Sequence, residues 1–301
     1  MSCLTNSPRG VQLHFLRSSA RKVLLKNALP SYSLNSHVTT TTQRIACFGG
    51  IYSNHLALAT AIADARRRGV DAMYCLGDFG GFGPHPNRSV ELLRDEGVRC
   101  IQGNYDNSIG HELNDCQCGY TDPRDNHFAQ ISYEYTLSHT DAEHRRWMRT
   151  LPESLRIELG PLEVLLAHGS PRKMNEFLWE STCSTQFLEH LADQFRADLL
   201  LVTHTGIRWQ RELSSNRRLV NVGVLGRPEN DGATHVWYTI LAHDGEQLSV
   251  EFVPVEYDHQ ELAREMRAEK LPAEFVETIL TGWWTTCLEI LPSKERRRGR
   301  F

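Results

Sequence analysis

The chain has 301 residues, of which 40% are hydrophobic and 23% are charged, and this composition is typical of a globular protein with a sizeable core. Its formal net charge of −4 argues against a protein whose main task is to bind nucleic acid or an anionic membrane. No apolar run approaches the roughly 20 residues that are needed to span a bilayer.

The charge is unevenly distributed along the chain. Residues 1–43 carry five basic and no acidic side chains, which leaves a net charge of −9 for residues 44–301. This Ser- and Thr-rich basic leader resembles an organelle transit peptide, and a disordered tail or an upstream start codon are the alternatives. We predict a disordered leader over residues 1–43 and a cytoplasmic protein, or an organellar one if the leader is a transit peptide.

Strands and helices alternate from Arg44 onward. The pattern predicts strands at 45–48, 71–76, 98–101, 155–159, 163–167, 199–202, 219–221, 236–241 and 248–253. It predicts helices at 54–68, 86–96, 126–151, 184–195, 258–268 and 272–280. This alternation indicates an α/β fold, in which functional sites lie at the carboxyl ends of the strands.

Eight cysteines are scattered along the chain, and we predict reduced, mostly buried thiols. Cys116 and Cys118 form a Cys-x-Cys pair in a polar loop. A zinc site at this pair is the less favoured alternative, because no second cysteine pair lies nearby. The charged run at 294–298 is predicted to be a solvated tail.

Isolated polar residues follow four of the apolar strands. They are Asp78, Asn104, His168 and His204. Each residue taken alone has a structural explanation as a cap, a turn residue or a core histidine. Together at strand ends, a carboxylate, an amide oxygen and two imidazoles favour a divalent transition metal such as Mn, Fe or Zn.

The segments that carry these residues resemble motifs of the calcineurin-like metallophosphoesterase superfamily, and most closely those of its small bacterial phosphodiesterase branch. The second motif of that branch is similar to residues 77–87 (GDFGGFGPHPN). Its Gly-Asn-His-Asp motif is similar to 103–106 (GNYD), its His-Gly motif to 168–171 (HGSP) and its Gly-His-x-His motif to 203–206 (THTG). Residues 221–224 (NVGV) match the turn that follows.

The resemblance implies a four-layer α/β/β/α sandwich over residues 44–253, with two metals bridged by an aspartate and a hydroxide that attacks phosphorus. Asp78 would be the bridging aspartate, and one metal would be held by Asp78, Asn104, His168 and His204. The remaining residues, 254–301, form a predicted helical extension with no counterpart in the family. This extension either caps the sheet edge or forms a homo-oligomer interface.

The other metal site of the family is incomplete in this sequence. Gly50 and Tyr52 stand where the family has Asp-x-His, and Gly206 stands where it has the second histidine of Gly-His-x-His. Tyr105 replaces the histidine that assists the leaving group in many relatives. The family's two-metal mechanism therefore cannot be transferred unchanged to this chain.

Three interpretations stay open. The first is a one-metal phosphoesterase in which Asp78, Asn104, Tyr105 and His168 are catalytic and Tyr105, Tyr52 or His85 donates a proton or binds phosphate. The second is a rearranged second metal site, for which a Tyr52 phenolate would favour a ferric ion; its candidate ligands are Tyr52, Asn54, His55 and Asp106. The third is a binding or scaffold protein without catalysis.

We expect a metal-dependent phosphoesterase that hydrolyses a small-molecule phosphomonoester or phosphodiester with at least one ion. The inactive binding or scaffold protein is the alternative. Arg172 follows His168 closely and is a candidate phosphate contact, with a surface role as its alternative. The substrate itself is not readable from the metal ligands, because loops determine specificity in such folds.

Overall fold

The computed structural model describes residues 43–297. The predicted leader lies outside the described residues except for Gln43, which begins the first strand. Among the described residues no helix is long and apolar enough to cross a membrane.

Residues 43–297 contain ten strands. They are β1 (Gln43–Phe48), β2 (Ala72–Cys75), β3 (Arg99–Cys100), β4 (Ser154–Leu159), β5 (Leu162–Ala167), β6 (Leu199–Val202), β7 (Trp209–Glu212), β8 (Arg218–Asn221), β9 (Val236–His243) and β10 (Leu248–Val255). The α-helices are α1 (His55–Arg67), α2 (Pro86–Asp95), α3 (Asn104–His111), α4 (Pro123–Ser138), α5 (Ala142–Met148), α6 (Thr185–Phe195), α7 (His259–Ala268), α8 (Ala273–Thr281) and α9 (Ser293–Arg296).

The strands form two five-stranded sheets, in the orders β10-β9-β1-β2-β3 and β4-β5-β6-β8-β7. Strands β1, β2 and β3 are mutually parallel, as are β5, β6 and β8. Alternate residues of both sheets, such as Cys47, Leu76, Leu166 and Leu201, meet in one buried apolar cluster. The outer face of the first sheet packs against α1 to α5, and the outer face of the second sheet packs against α6. This confirms the predicted four-layer α/β/β/α sandwich.

Most predicted elements are present with ends shifted by one or two residues. Asn54 caps α1, since its Oδ1 accepts a hydrogen bond from the amide of Ala57 at 3.0 Å. The predicted 126–151 helix is instead two helices, because α5 begins anew after Asp141. Helix α3 and strand β7 were not predicted. Both are short, and α3 has a polar sequence without a helical apolar period.

The C-terminal extension covers one end of the sandwich. Helices α7 and α8 pack apolar residues, including Leu262 and Phe275, against Tyr52, Phe82 and Val224 of the preceding domain. The predicted solvated tail is wrong at Glu295, which is only 4% exposed. The carboxylate of Glu295 accepts hydrogen bonds from the Ser181 amide at 2.9 Å and the Ser181 hydroxyl at 2.5 Å, and these compensate its burial. Arg298 of that tail lies outside the described residues.

Two cysteines depart from the prediction of reduced thiols. Cys116 and Cys118 form a disulfide, with Cα atoms 5.3 Å apart, a separation that a disulfide can bridge. The bonded sulfurs are also unavailable as zinc thiolates, which excludes the alternative considered for this pair. Among the described residues, the remaining cysteines are free and mostly buried, as predicted.

Candidate metal centre

The predicted metal ligands meet at one edge of the two sheets. Asp78 follows β2 and Asn104 opens α3 directly after β3, both from the first sheet. His168 follows β5 and His204 follows β6, both from the second sheet. Parallel strands end at the same edge, which brings these four positions to one edge although they are distant in sequence. All four are buried, none more than 7% exposed.

The donor atoms are spaced as ligands of one ion. Nε2 of His168 lies 3.1 Å from Oδ2 of Asp78 and 3.1 Å from Nδ1 of His204. The ligand atoms of these three residues all lie within 4.8 Å of one another. Two ligands about 2.1 Å from a tetrahedral ion lie about 3.4 Å apart, so the observed separations suit a shared cation.

Hydrogen bonds to backbone carbonyl oxygens fix the orientation of His168 and Asn104. Nδ1 of His168 donates to the carbonyl oxygen of Leu76 at 2.6 Å, which directs Nε2 toward the site and Oδ2 of Asp78. The amide nitrogen of Asn104 donates to the carbonyl oxygen of Cys116 at 2.9 Å. Its Oδ1 is therefore the atom that is presented to an ion. The Cys116–Cys118 loop thus determines how Asn104 faces the site.

Two buried atoms of this cluster lack hydrogen-bond partners within the described part of the chain. They are Oδ1 of Asn104 and Nε2 of His204. A buried polar atom without a partner costs about 1–3 kcal/mol. A metal ion bound at this cluster would give the Asn104 oxygen a partner and would take one nitrogen of each imidazole as a ligand. The residues present therefore fit the divalent ion that the donor set predicts.

Asp78 is held in place by Asp106, a residue that we had considered as a substitute ligand. Asp78 adopts a left-handed backbone conformation with φ 58°. The carboxylate of Asp106 accepts hydrogen bonds from the amides of Asp78 at 2.6 Å, Phe79 at 3.0 Å and Gly103 at 2.8 Å. Both carboxylate oxygens are engaged, so Asp106 positions the ligand loops and presents no free oxygen to an ion.

Burial and neighbouring charges shift the pKa values of these groups. Burial together with the charge of Asp78 raises the pKa of Asp106 to about 7. Burial alone would raise the pKa of Asp78, but His168 beside it lowers that pKa below its usual value. Burial and the positive charge of His168 lower the pKa of His204 to about 3. His204 is therefore neutral at physiological pH, the form in which histidine binds metals.

Other side chains fill the place of the family's first metal site. A Cβ atom on Gly50 would lie 2.5 Å from Cε1 of the Tyr52 ring. A Cβ atom on Gly206 would lie 3.0 Å from Cη2 of Trp284 and 3.4 Å from Nη2 of Arg227. Burial raises the pKa of the Tyr52 phenol above its usual range, and the ferric site at Tyr52 stays a prediction.

A cavity of about 50 Å³ adjoins the metal cluster. Asp78, His204, Tyr52, Tyr105 and Arg227 line it on the domain side, and the C-terminal extension contributes Phe275, Thr286 and Cys287. One water needs about 15 Å³ by this measure, so the cavity holds about three waters or a group of similar size.

Tyr105 lies at this cavity and contacts the central ligand. Its amide donates to Oδ1 of Asp78 at 3.0 Å, and its hydroxyl donates to the Ser132 hydroxyl at 3.0 Å. Burial raises the pKa of the Tyr105 phenol above its usual range, so the group stays protonated at neutral pH. Tyr105 is therefore a protonated phenol at the cavity, with its O–H directed to Ser132.

Several predicted site residues lie elsewhere. Asn54 is occupied as the cap of α1, and His85 precedes α2 with its ring 6.3 Å from that of His55. His55 is itself 3.6 Å from a carboxylate oxygen of Glu265. Arg172 is half-exposed and forms an ion pair with Glu176, four residues further along the chain.

Arg227 is the residue at the cavity that the sequence reasoning missed. It is 6% exposed and lies on the segment after β8. Strand β8 is parallel to β6 and ends at the same edge as the strands that precede His168 and His204. The rule that located the four ligands therefore also applies to the segment after β8, and extending it past residue 224 would have found Arg227.

Comparison with known proteins agrees with this architecture. Residues 44–244 match the calcineurin-like phosphoesterase superfamily domain. An uncharacterized protein of Methanocaldococcus jannaschii is 27% identical over 254 residues, which cover 79% of this chain and 98% of that protein.

Solved structures are similar over a comparable length. A metallophosphoesterase from Sphaerobacter thermophilus has 27% identity and a TM-score of 0.62, over 80% of this chain and 100% of that one. A hypothetical protein from Pyrococcus horikoshii OT3 has 24% identity and a TM-score of 0.66, over 80% of this chain and 99% of that one. At its lower identity, the second structure supports the fold alone.

Proposed function

This chain belongs to the calcineurin-like phosphoesterase superfamily, and we propose that it hydrolyses a phosphomonoester or phosphodiester with one divalent transition-metal ion. The ligands would be Asp78, Asn104, His168 and His204. The observation that carries this proposal is the convergence of the buried donor atoms of Asp78, His168 and His204. The Oδ1 atom of Asn104 is buried as well and has no hydrogen-bond partner among the described residues. A domain without a metal has no chemical reason to bury this set.

The metal would supply an acidified water and polarise a phosphoryl oxygen. The protein supplies orientation and the exclusion of bulk water. Hydrogen bonds to Leu76 and Cys116 hold His168 and Asn104 in one orientation, so little rearrangement is needed at the reacting centre. Tyr105 stays protonated in the cavity, and we assign it the role of hydrogen-bond donor to the leaving-group oxygen, toward which its O–H would turn from Ser132 when the ester binds.

The cavity size supports a compact reacting group. At about 50 Å³ it accommodates something of the size of a phosphoryl group and little more. The rest of the ester would then lie outside or displace part of the C-terminal extension. Because Phe275, Thr286 and Cys287 line the cavity, the extension is a determinant of substrate size in this proposal.

A binding protein without catalysis is the second candidate function. The observation that favours it is the filling of the first metal site by Tyr52 and Trp284 beside Gly50 and Gly206. In this case the ion would stabilise the fold and the cavity would hold a ligand that is not turned over. The two candidates differ in turnover and not in metal content.

The test is hydrolysis of p-nitrophenyl phosphate and bis-p-nitrophenyl phosphate by Mn-loaded protein. We expect turnover by the wild type and a loss of at least about 100-fold in Asp78→Asn and His168→Asn, because removing a group that stabilises the transition state costs this much. His144→Asn is the matched control, since His144 is also buried but lies on α5 away from the cluster. Metal binding with no turnover of either ester would favour the binding protein.

A further inference from the structure

Arg227 is a buried cation next to the place of the missing metal ligands. Its guanidinium carbon lies 3.6 Å from the ring centroid of Trp284 and 5.8 Å from that of Tyr52. Its Nη2 lies 3.4 Å from the Cβ position that any larger residue at Gly206 would occupy. Arg227 therefore occupies space that the second histidine of the family motif would need.

The positive charge of Arg227 is not paired with a carboxylate in the described part of the chain. Its Nε is buried and has no hydrogen-bond partner among residues 43–297. The groups that face the charge are the Cys287 thiol and the Tyr52 and Tyr120 phenols. Asp78 lines the same cavity, but its carboxylate is engaged with His168. A buried guanidinium without an anion carries a large desolvation cost, so the site is built to receive a negative group.

The packing around Arg227 also explains why residues 50 and 206 are glycine. A side chain at Gly206 would meet Trp284 and Arg227, and a side chain at Gly50 would meet Tyr52. Glycine at these two positions makes room for the Tyr52 and Trp284 rings, and Arg227 packs against the Trp284 ring. The same two glycines that remove ligands of a metal site thus leave room for the Arg227 guanidinium.

We infer that Arg227 replaces the family's second metal ion as the cation that binds a phosphoryl oxygen in this cavity. The inference rests on the proposed function for the identity of the ligand, a tetrahedral phosphate or phosphate ester. A guanidinium presents parallel N–H donors that match two oxygens of such a group. The site would then combine one divalent ion with one arginine, and both would contact the same phosphoryl group.

The test measures binding of inorganic phosphate by calorimetry to the Mn-loaded full-length protein. We expect the Kd of Arg227→Met to rise at least 10-fold, with Arg227→Lys intermediate because a lysine keeps the charge and loses the paired donors. The Mn content is expected to stay at one ion per chain in both variants. Arg211→Met is the matched control, since Arg211 lies over the Trp209 ring at 5.4 Å and does not line this cavity. Its phosphate affinity is expected to equal that of the wild type.

Wild-type phosphate binding with an unchanged Kd in Arg227→Met overturns the inference, as does a second Mn ion bound by the wild type. If Arg227→Met does not fold, the wild type alone decides through its melting temperature. Millimolar phosphate is expected to raise that temperature, and the absence of any increase overturns the inference. Arg227-dependent phosphate binding without ester turnover would contradict the proposed hydrolysis and leave this inference standing.

Discussion

The contact between Gly206 and the C-terminal extension allows a quantitative prediction of stability. Gly206 has φ +81°, and an added Cβ would lie 3.0 Å and 3.1 Å from Cη2 and Cζ2 of Trp284. The left-handed backbone costs a residue with a side chain about 1–2 kcal/mol. Overpacking a buried site costs about 1–3 kcal/mol more. We therefore expect Gly206→Ala to lower the free energy of unfolding by about 2–5 kcal/mol.

A matched glycine separates the two contributions. Gly69 has φ +69°, and no described heavy atom outside its chain neighbours lies within 4 Å of its Cβ position. Gly69→Ala should therefore lose only the backbone contribution of about 1–2 kcal/mol. The difference between the two variants measures the contact of Gly206 with Trp284 and Arg227.

The assay is urea unfolding at equilibrium, followed by circular dichroism at 222 nm so that tryptophan changes do not affect the signal. Combining Gly206→Ala with Trp284→Phe removes the ring atoms that the new Cβ would meet. The penalty of Gly206→Ala in the Trp284→Phe background should then fall to that of Gly69→Ala. The reasoning is refuted if Gly206→Ala is no worse than Gly69→Ala, or if its penalty is the same in both backgrounds.

Three further predictions concern the residues around the site. Asp106→Asn puts an amide donor among three backbone amides that now donate to the carboxylate, and should cost about 2–4 kcal/mol in urea unfolding; a cost below 0.5 kcal/mol, the range of ordinary surface changes, would contradict its positioning role. Cys118→Ser frees the loop whose Cys116 carbonyl orients Asn104, and should weaken Mn binding about 10-fold by calorimetry. The remote Cys183→Ser should not weaken it, and equal affinities in both variants would argue against orientation by this loop. Glu295→Ala leaves the amide and hydroxyl of Ser181 without their acceptor, at a cost of about 1–3 kcal/mol that should speed limited proteolysis of the C-terminal extension. The half-exposed Glu289 offers the control Glu289→Ala, and matching cleavage rates would show that Glu295 does not anchor the extension.

The sandwich and the metal cluster were predictable because they depend on strong local patterns. Apolar strands that end in Asp78, Asn104, His168 and His204 determine which residues meet, since parallel strands share an edge. The helical spacing of apolar residues also predicted α1, α2, α6, α7 and α8. These features follow from patterns within short segments, so they can be predicted without knowing which distant segments are in contact.

The parts that were missed depend on contacts between distant segments. Arg227 packs against Trp284, which lies 57 positions further along the chain. The Asp106 carboxylate accepts hydrogen bonds from the amides of Asp78 and Phe79. Both amides lie outside the motif that contains Asp106, so the motif alone does not predict these contacts. Helix α3 is stabilised by its cap at Gly103 and not by an apolar period. Glu295 is buried because Ser181 meets it from another segment.

The central claim is that one metal ion and one arginine stand where the family has two metal ions. It is tested most directly by anomalous diffraction at the manganese edge from crystals of the full chain grown with Mn. We predict one peak per chain, surrounded by Asp78, Asn104, His168 and His204, with Arg227 and no second peak near Gly50 and Gly206. Two peaks about 3.5–4 Å apart, the spacing of a two-metal site, would contradict the account.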